Sequence, residues 1–423
     1  MVKRNLSTFY IGWLLLGFVL LAISVSPVID GDGAARYADL LRILSGEKPI
    51  DKFSSLQLLL SMPMHYSGFF VGIEKAAVSY FNLIVFGLML ISLWRLLPKE
   101  SRFVSVLLLM AATMFPHHLR YYYGEVLSVG ALTVGFLFLQ QRRLLFAIIL
   151  LGIGAAQTPA TLPALGLALL YVSIRRRNPL YLLIFLMPLA LMAADNLFKY
   201  GSIFSSPYLS AGERAEKTLM PYSGLPGFSY PIVFGLLSIM FSFGKGLAFF
   251  APSLLLRWKL TKVEATNQDN VNMIDLCLVF LLGLILTYSR WYGWYGGQFW
   301  GPRFFLFASV PAALILAHFF SLMASPWRLR AIFTAVLALS GWVCVQGYLY
   351  GNLQLGICGE NKSQLELLCW YVPEFSPIFR EFVVGFPKVP PLRLAYVAWC
   401  ILSLLLVALA RPKLKINKSV KDK

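Results

Sequence analysis

The sequence has few charged residues, and acidic residues are the scarcest of them. Only 13% of its 423 residues are charged, and 19 Asp and Glu stand against 37 Lys and Arg. Hydrophobic residues make up 58%, which is more than ordinary soluble domains contain. These figures exclude a soluble globular protein and indicate a membrane protein with many spans. The net charge of +18 then belongs to short basic loops between apolar runs, so no nucleic-acid partner is expected.

Sequence signatures of several common chemistries are also missing. The 4 His and 5 Cys show no metal-site spacing, and no glycine-rich phosphate loop of the P-loop type occurs, so no nucleotide cofactor is expected. Cys277, Cys344 and Cys400 fall in apolar runs, where a small buried hydrophobe is the default interpretation. Cys358 and Cys369 share one loop, where they either stay free or form a disulfide that staples it.

Apolar runs predict an all-α polytopic protein with about 12 transmembrane helices, since a helix needs roughly 20 apolar residues to cross the hydrocarbon core and fewer inside a bundle. No internal repeat is visible, so residues 1–411 are predicted to form one integral-membrane domain. The predicted spans are residues 9–29, 76–97, 103–117, 124–140, 144–157, 160–174, 179–197, 246–259, 272–290, 303–323, 331–351 and 392–410.

The placement of Lys and Arg predicts the orientation of the chain, because both are enriched in short cytoplasmic loops. The N-terminus and the basic tail of residues 412–423 are predicted to be cytoplasmic, with the first span an uncleaved anchor rather than a signal peptide. The long connections 30–75, 198–245 and 352–391 then lie outside a bacterial inner membrane.

The first outside loop is predicted to contain a helix that lies along the membrane surface. Its apolar residues recur at helical spacing, while Arg36 and Asp39 are expected on the opposite face. Asp32 is expected at or next to the N-cap of this helix, where free backbone N–H groups favour a negative charge. The apolar residues are Tyr37, Leu40, Leu41 and Leu44.

Side chains that could carry chemistry collect at the outer ends of the spans. A transporter would instead place ionisable groups near the midplane, so the pattern favours an external active site; a lipid or solute transporter, or a flippase, is the alternative. A carboxylate that takes a proton, with cations that hold a phosphate, is the minimum set for glycosyl transfer from a lipid phosphate. The collected residues are Asp30, Asp32, His118, Arg120, Tyr123, Glu125, Lys245, Trp294, Gln298 and Arg303.

Five motifs in a fixed order resemble those of the bacterial GT-C glycosyltransferases, the integral-membrane enzymes related to the protein mannosyltransferases and to the aminoarabinose transferase of lipid A. The resemblance covers residues from about 9 to 323. The motifs are DGDGAARYA, YYYGEVL, YGSIFSSPY, FSFGKGLAFFAP and WYGGQFWGPRF.

The resemblance implies an inverting transferase that moves a sugar from a polyprenyl phosphate to an envelope glycan, lipid or protein. Asp32 matches the catalytic aspartate, with Asp30 as its supporting neighbour or as the polar end of the first span. Lys245 and Arg303 match residues of the family's Gly-Lys-Gly and Gly-Pro-Arg segments, and both are expected to hold the phosphate. Gly33 stands where the family often has a second acid, which leaves a requirement for a divalent metal open. Six further residues are expected to bind substrate or phosphate: Glu125, Arg120, His118, Tyr123, Trp294 and Gln298.

Several of these residues also have a purely structural interpretation. Asp32 could be only a helix cap, Lys245 a lysine that marks the membrane surface, and Arg303 the partner of a carboxylate. Glu125 could act only on the dipole of its helix, and the tryptophans could form an aromatic belt. A non-catalytic member that scaffolds an envelope complex also remains open on the sequence.

Overall fold

The structure is a computed structural model of the chain and describes residues 2–204, 220, 227–257, 271–321, 327–351, 356–358 and 365–410. The predicted cytoplasmic tail 412–423 and residues 205–219 and 221–226 of the second predicted outside loop lie outside the described residues. Within the described part, regular structure is helical apart from one isolated bridge between Val28 and Tyr121. The prediction of an all-α fold is therefore confirmed.

The helices differ widely in length. They are α1 Val2–Ser24, α2 Gly31–Leu44, α3 Leu56–Phe69, α4 Glu74–Ser79, α5 Phe81–Leu96, α6 Arg102–Ala111, α7 Phe115–His118, α8 Glu125–Gln140, α9 Leu144–Gln157, α10 Leu162–Arg175, α11 Leu186–Tyr200, α12 Ile232–Phe241, α13 Leu247–Phe250, α14 Met273–Tyr288, α15 Ser309–Ser321, α16 Trp327–Leu349, α17 Glu366–Tyr371, α18 Glu381–Val384 and α19 Pro391–Leu409. Tight 3-10 segments precede α10, α11 and α15 and follow α13.

Among the described residues, five helical segments could cross a membrane alone by length and composition, and seven further apolar helices are shorter. The five are Glu74–Leu96, Pro179–Tyr200, Arg303–Phe320, Trp327–Leu349 and Pro391–Leu409. The shorter ones are Thr8–Ser24, Arg102–Ala111, Glu125–Gln140, Leu144–Gln157, Pro159–Arg175, Ile232–Phe241 and Met273–Tyr288. All but one of the predicted spans therefore correspond to an apolar helix.

The exception is the predicted span 246–259, which is not one helix. Helix α13 ends after a single turn, and a 3-10 segment Pro252–Leu256 follows it. Pro252 has no N–H and disfavours helical geometry at Ala251, whose φ is −140°. The preceding helix α12 contacts the end of α17, since the hydroxyls of Ser238 and Tyr371 lie 3.0 Å apart.

Close helix packing is provided by small residues. A Cβ atom added at Gly283 of α14 would lie 2.6 Å from the Cα of Ala164 on α10, so the backbones meet as small residues allow in membrane proteins. The first and last helices are joined by a hydrogen bond of 2.9 Å from Trp13 Nε1 to Ser403 Oγ. These contacts fix the frame from which the outer loops project.

Helix α2, which follows the first span, departs from the predicted amphipathic helix in its N-cap residue and in which of its side chains are buried. Asp30, rather than Asp32, occupies the N-cap of α2, and its side chain makes no capping hydrogen bond. Arg36 and Asp39 are buried instead of solvent-facing, because the chain folds back over that face and Asp39 accepts hydrogen bonds from the backbone N–H groups of Ile50 and Asp51, at 3.0 and 2.9 Å. Leu41, predicted on the apolar face, is 43% exposed.

The cysteines behave as the sequence allowed. Cys358 and Cys369 form a disulfide within the last outside loop, while Cys277, Cys344 and Cys400 are free and buried.

Candidate active site

Arg303 lies at the centre of a cluster of charged side chains contributed by three separate elements. Its Nη2 atom is 2.6 Å from Oδ2 of Asp32, and its Nε atom is 3.2 Å from Oε1 of Glu125. Asp32 and Glu125 both lie in the first turn of their helices, α2 and α8, where the helix dipole favours a carboxylate. The Arg303 and Glu125 side chains are largely buried, whereas that of Asp32 is 36% exposed. The carboxylate most open to a substrate is therefore that of Asp32.

Aromatic rings flank the guanidinium group of Arg303. Its Cζ atom is 5.2 Å from the ring centres of Tyr123 and Phe304, and 5.8 Å from that of Phe299. Burial raises the pKa of the Tyr123 hydroxyl, although the charge of Arg303 opposes the shift. Gly31 is required beside this hydroxyl, because its φ is +48° and an added Cβ would lie 2.7 Å from the Tyr123 oxygen.

Two buried amide side chains hold Tyr123 in place, and neither was predicted from the sequence. Asn82 on α5 donates from Nδ2 to the carbonyl oxygens of Tyr121 and Tyr123, at 2.6 and 2.9 Å. Gln57 on α3 donates to the same Tyr123 carbonyl at 3.4 Å. The available signal for Asn82 was an amide side chain near the start of the predicted span 76–97.

Asp30 lies beside the cluster and has a different environment. Burial raises the pKa of its carboxyl group, and the positive charge of Arg120 partly offsets this rise. The segment that carries Asp30 is fixed to the one that carries Arg120, since the N–H of Val28 donates to the Arg120 carbonyl at 2.7 Å. Asp30 and Arg120 therefore form a neighbouring pair at the edge of the site.

Lys245 is enclosed by the protein. Its side chain is fully buried, and Nζ donates to the carbonyl oxygens of Gly297 at 3.2 Å, of Gly301 at 2.9 Å, and of Phe299. An ammonium group has three N–H donors, so all of them are engaged. A direct contact with a phosphate, as expected from the sequence, would require one carbonyl to be released.

The remaining predicted residues lie around the cluster rather than in it. His118 is buried against the Phe299 ring at 5.1 Å, and burial holds its pKa well below the usual range, so it is uncharged and adds no cation for a phosphate. Trp294 is also buried, which leaves it no free face for a sugar in this arrangement. Gln298 is exposed and donates to the carbonyl of Cys358 at 3.3 Å, which ties it to the last outside loop.

A narrow slot opens between α8, α14 and the segment that follows Arg303. Glu125 and Arg303 lie at its polar end, and the side chains along it are mainly apolar. Seven residues of helix separate Glu125 from Leu132, which corresponds to a depth of about 10 Å. The other lining residues are Ser128, Val129, Thr158, Thr161, Phe280, Leu284, Phe304 and Phe307.

A bound metal ion would need several donor side chains close together. In the part of the chain that the structure describes, no group of three or more His, Cys, Asp or Glu side chains is placed to hold a metal ion. The two carboxylates of the cluster are both engaged by Arg303. The metal requirement that the sequence left open therefore finds no fitting set of ligands there.

Comparison with known proteins identifies the fold. No family model and no curated protein sequence matches the chain. Among solved structures, it is similar to ArnT from Cupriavidus metallidurans bound to undecaprenyl phosphate, with a TM-score of 0.52 and 12% identity over 96% of this chain and 76% of that one. It is also similar to the apo state of that protein, with a TM-score of 0.50 and 11% identity over 96% and 77%. The chain thus shares the fold of ArnT, and the prediction of a polytopic all-α fold is confirmed.

Proposed function

We propose that the protein is a glycosyltransferase that takes a sugar from a polyprenyl phosphate and transfers it to an envelope acceptor at the outer face of the membrane. The observation that supports this most directly is the position of Arg303. Its guanidinium group lies between the carboxylates of Asp32 and Glu125, at the polar end of a mainly apolar slot. A lipid phosphate has the matching shape, with a charged head and an apolar chain.

In this proposal Arg303 binds the donor phosphate, and the first part of the polyprenyl chain enters the slot. Arginine suits this role because its planar guanidinium pairs with two phosphate oxygens at once. The slot is narrow, so its side chains must move apart to admit the chain. The undecaprenyl phosphate bound to ArnT, a protein of the same fold, is the kind of ligand that we expect.

Asp32 is the proposed general base. The acceptor hydroxyl donates a hydrogen bond to its carboxylate and loses its proton to it as the hydroxyl oxygen attacks the anomeric carbon of the sugar. A new carbon–oxygen bond forms while the bond from the anomeric carbon to the phosphate oxygen breaks. The electron pair leaves with the phosphate, where Arg303 stabilises the charge that grows in the transition state. Attack opposite the leaving group inverts the anomeric configuration.

In the same proposal the site lies at the outer face of the membrane, and both termini lie in the cytoplasm. Basic residues in the short connections support this orientation. The disulfide Cys358–Cys369 supports it as well, because disulfides persist in oxidising compartments. A transporter is less well supported, since Asp32, Glu125 and Arg303 lie together at one end of the bundle.

Mass spectrometry of envelope lipids and glycans tests the proposal. Cells that carry the gene are compared with cells that lack it and with cells complemented by the Asp32→Asn variant. We expect one sugar to disappear from one class of envelope molecule in the deletion strain and to stay absent in the variant. Identical envelope sugars in all three strains would reject the transferase, and a change only in the distribution of an unmodified lipid would favour a flippase.

A further inference from the structure

Lys245 occupies an unusual position for a charged residue, since it is buried in the break between α12 and α13. Its ammonium group donates to three carbonyl groups of one loop, those of Gly297, Phe299 and Gly301. The ring of Trp370 lies on another side, with its centre 4.2 Å from Nζ. The lysine is thus enclosed on one side by the loop that contains these three carbonyl groups and on another side by the last outside loop, which contains Trp370.

The loop of residues 296–302 is shaped to converge on this ammonium group. Gly296, Gly297 and Gly301 have φ angles of +75°, +72° and +68°, a region that residues with a Cβ rarely adopt. These turns direct alternate carbonyl groups to one point. Burial holds the pKa of Lys245 well below its usual range, with the charge of Glu366 opposing this shift and that of Arg303 adding to it. The three converging carbonyl oxygens match the three N–H donors of the protonated form.

One carbonyl connects Lys245 directly to Arg303. The oxygen of Gly301 accepts a hydrogen bond from Lys245 Nζ at 2.9 Å and another from the backbone N–H of Arg303 at 3.0 Å. Any displacement of this carbonyl therefore moves the backbone from which the Arg303 side chain extends. Only the Gly301 carbonyl group and Pro302 lie between the Lys245 ammonium group and the backbone of Arg303.

The last outside loop closes the other side of Lys245. The N–H of Gly244 donates to the carbonyl of Trp370 at 3.1 Å, and a Cβ at Gly244 would lie only 2.0 Å from the Cys369 carbonyl oxygen. This contact is anchored by the disulfide Cys358–Cys369. The lysine is consequently separated from the outer surface by protein.

We propose that Lys245 is a positioning residue, which holds the loop of residues 296–302 so that Arg303 meets the donor phosphate, and that it does not bind the phosphate itself. The expected effect of Lys245 on phosphate binding rests on the proposed function. The contact between Lys245 and the loop can be tested independently of that function.

Hydrogen–deuterium exchange of the full-length protein in lipid nanodiscs tests the contact. The Lys245→Met variant keeps the length of the side chain but leaves three carbonyls without a donor. We expect the amides of Phe299, Arg303 and Phe305, which are hydrogen-bonded in turns of this loop, to exchange at least about tenfold faster than in the unchanged protein. Lys75→Met, at an exposed lysine of the first outside loop, is the matched control and should leave the exchange of these amides unchanged.

A second variant perturbs the same loop without removing a charge. Gly297→Ala introduces a Cβ into open space but at a positive φ, so it strains only the backbone. It should also accelerate exchange of the same three amides, and it keeps the test valid if Lys245→Met does not fold. Unchanged exchange in the folded Lys245→Met protein, or unchanged exchange in Gly297→Ala if the lysine variant does not fold, would overturn the inference.

Binding of undecaprenyl phosphate separates positioning from direct contact. We expect Arg303→Ala to weaken binding at least about tenfold and Lys245→Met about fivefold, with the double variant no weaker than Arg303→Ala alone, because Lys245 acts through Arg303. Losses that multiply in the double variant would show an independent phosphate contact and refute the positioning role. If the unchanged protein does not bind this lipid, the proposed function fails, while the exchange experiment still decides whether Lys245 holds the loop.

Discussion

Replacing Asp32 with Asn should separate catalysis from donor binding. The substitution keeps the shape of the side chain and removes its ability to take a proton. Asp32 lies in the first turn of α2, whose N-cap is Asp30, so the fold is expected to survive. A general base contributes about 10²–10⁴-fold to a rate, which corresponds to about 3–5 kcal/mol in the activation barrier.

Donor binding, unlike turnover, should not be weakened by the substitution. The cluster of Asp32, Glu125 and Arg303 has two negative charges and one positive charge, and Asn at position 32 would make it neutral. Asp32 and the phosphate compete for the same guanidinium, which Asp32 contacts at 2.6 Å. For a partly exposed, charge-assisted hydrogen bond we take about 1 kcal/mol, so the variant should bind undecaprenyl phosphate about as well as the unchanged protein or up to about fivefold more tightly.

Two measurements on the purified full-length protein check this combination. One is the affinity for undecaprenyl phosphate in nanodiscs, and the other is turnover with the acceptor found by the envelope comparison. Asp30→Asn is the matched control, because Asp30 lies two residues away and is expected to keep turnover within about tenfold. Near-normal turnover in Asp32→Asn would show that Asp32 is not the base. Loss of lipid affinity together with turnover would show that its role is to hold Arg303.

Three further perturbations test the frame around the site. Asn82→Leu leaves two buried carbonyls without their amide donor, so the free energy of unfolding should fall by about 2–3 kcal/mol; an unchanged thermal midpoint would contradict the contact. Burial raises the pKa of Glu366 to about 7 against the opposing charge of Lys245. Because the native state binds this proton more tightly than the unfolded chain does, stability should decrease by up to about 3 kcal/mol as pH rises from about 4.5 to about 7, and Glu366→Gln should remove this slope from a pH series of unfolding temperatures. Gly283→Leu should prevent the close approach of α14 to α10 and lower folded yield in size-exclusion chromatography; a normal monodisperse yield would show that the two helices can separate without cost.

The spans were predictable because apolar length is a local property of the sequence. Predicted residues 144–157 coincide with α9, Leu144–Gln157, and predicted residues 124–140 differ from α8, Glu125–Gln140, by one residue. The run after Lys245 was equally apolar but did not form one helix, since Pro252 interrupts it. Hydropathy detects the apolar character of such a segment and not its backbone geometry.

The candidate site was predictable as a set of residue types and not as a set of contacts. Asp32 and Arg303 were both identified from motifs, but their ion pair joins residues 271 positions apart in the chain, and only the fold brings them together. The burial of Lys245 depends on three carbonyl groups of another loop, and backbone carbonyls carry no signal in a sequence. Arg36 and Asp39 were placed on a solvent-facing side because helical spacing cannot show that a later segment folds over it.

The charge balance of the cluster suggests an order of events in the proposed reaction. A guanidinium as enclosed as that of Arg303 is costly to leave without an anion, and Asp32 and Glu125 supply one in the absence of donor. While Asp32 is held by Arg303 its carboxylate oxygen is engaged by the guanidinium. An arriving phosphate takes over the guanidinium, and Asp32, the more exposed of the two acids, is then free to accept a hydrogen bond from the acceptor hydroxyl at the moment when a sugar is present. Donor binding should therefore precede productive acceptor binding, and the apparent affinity for acceptor should rise when undecaprenyl phosphate carrying the sugar saturates the protein. Acceptor affinity that is independent of donor concentration would mean that Asp32 and the phosphate do not share Arg303.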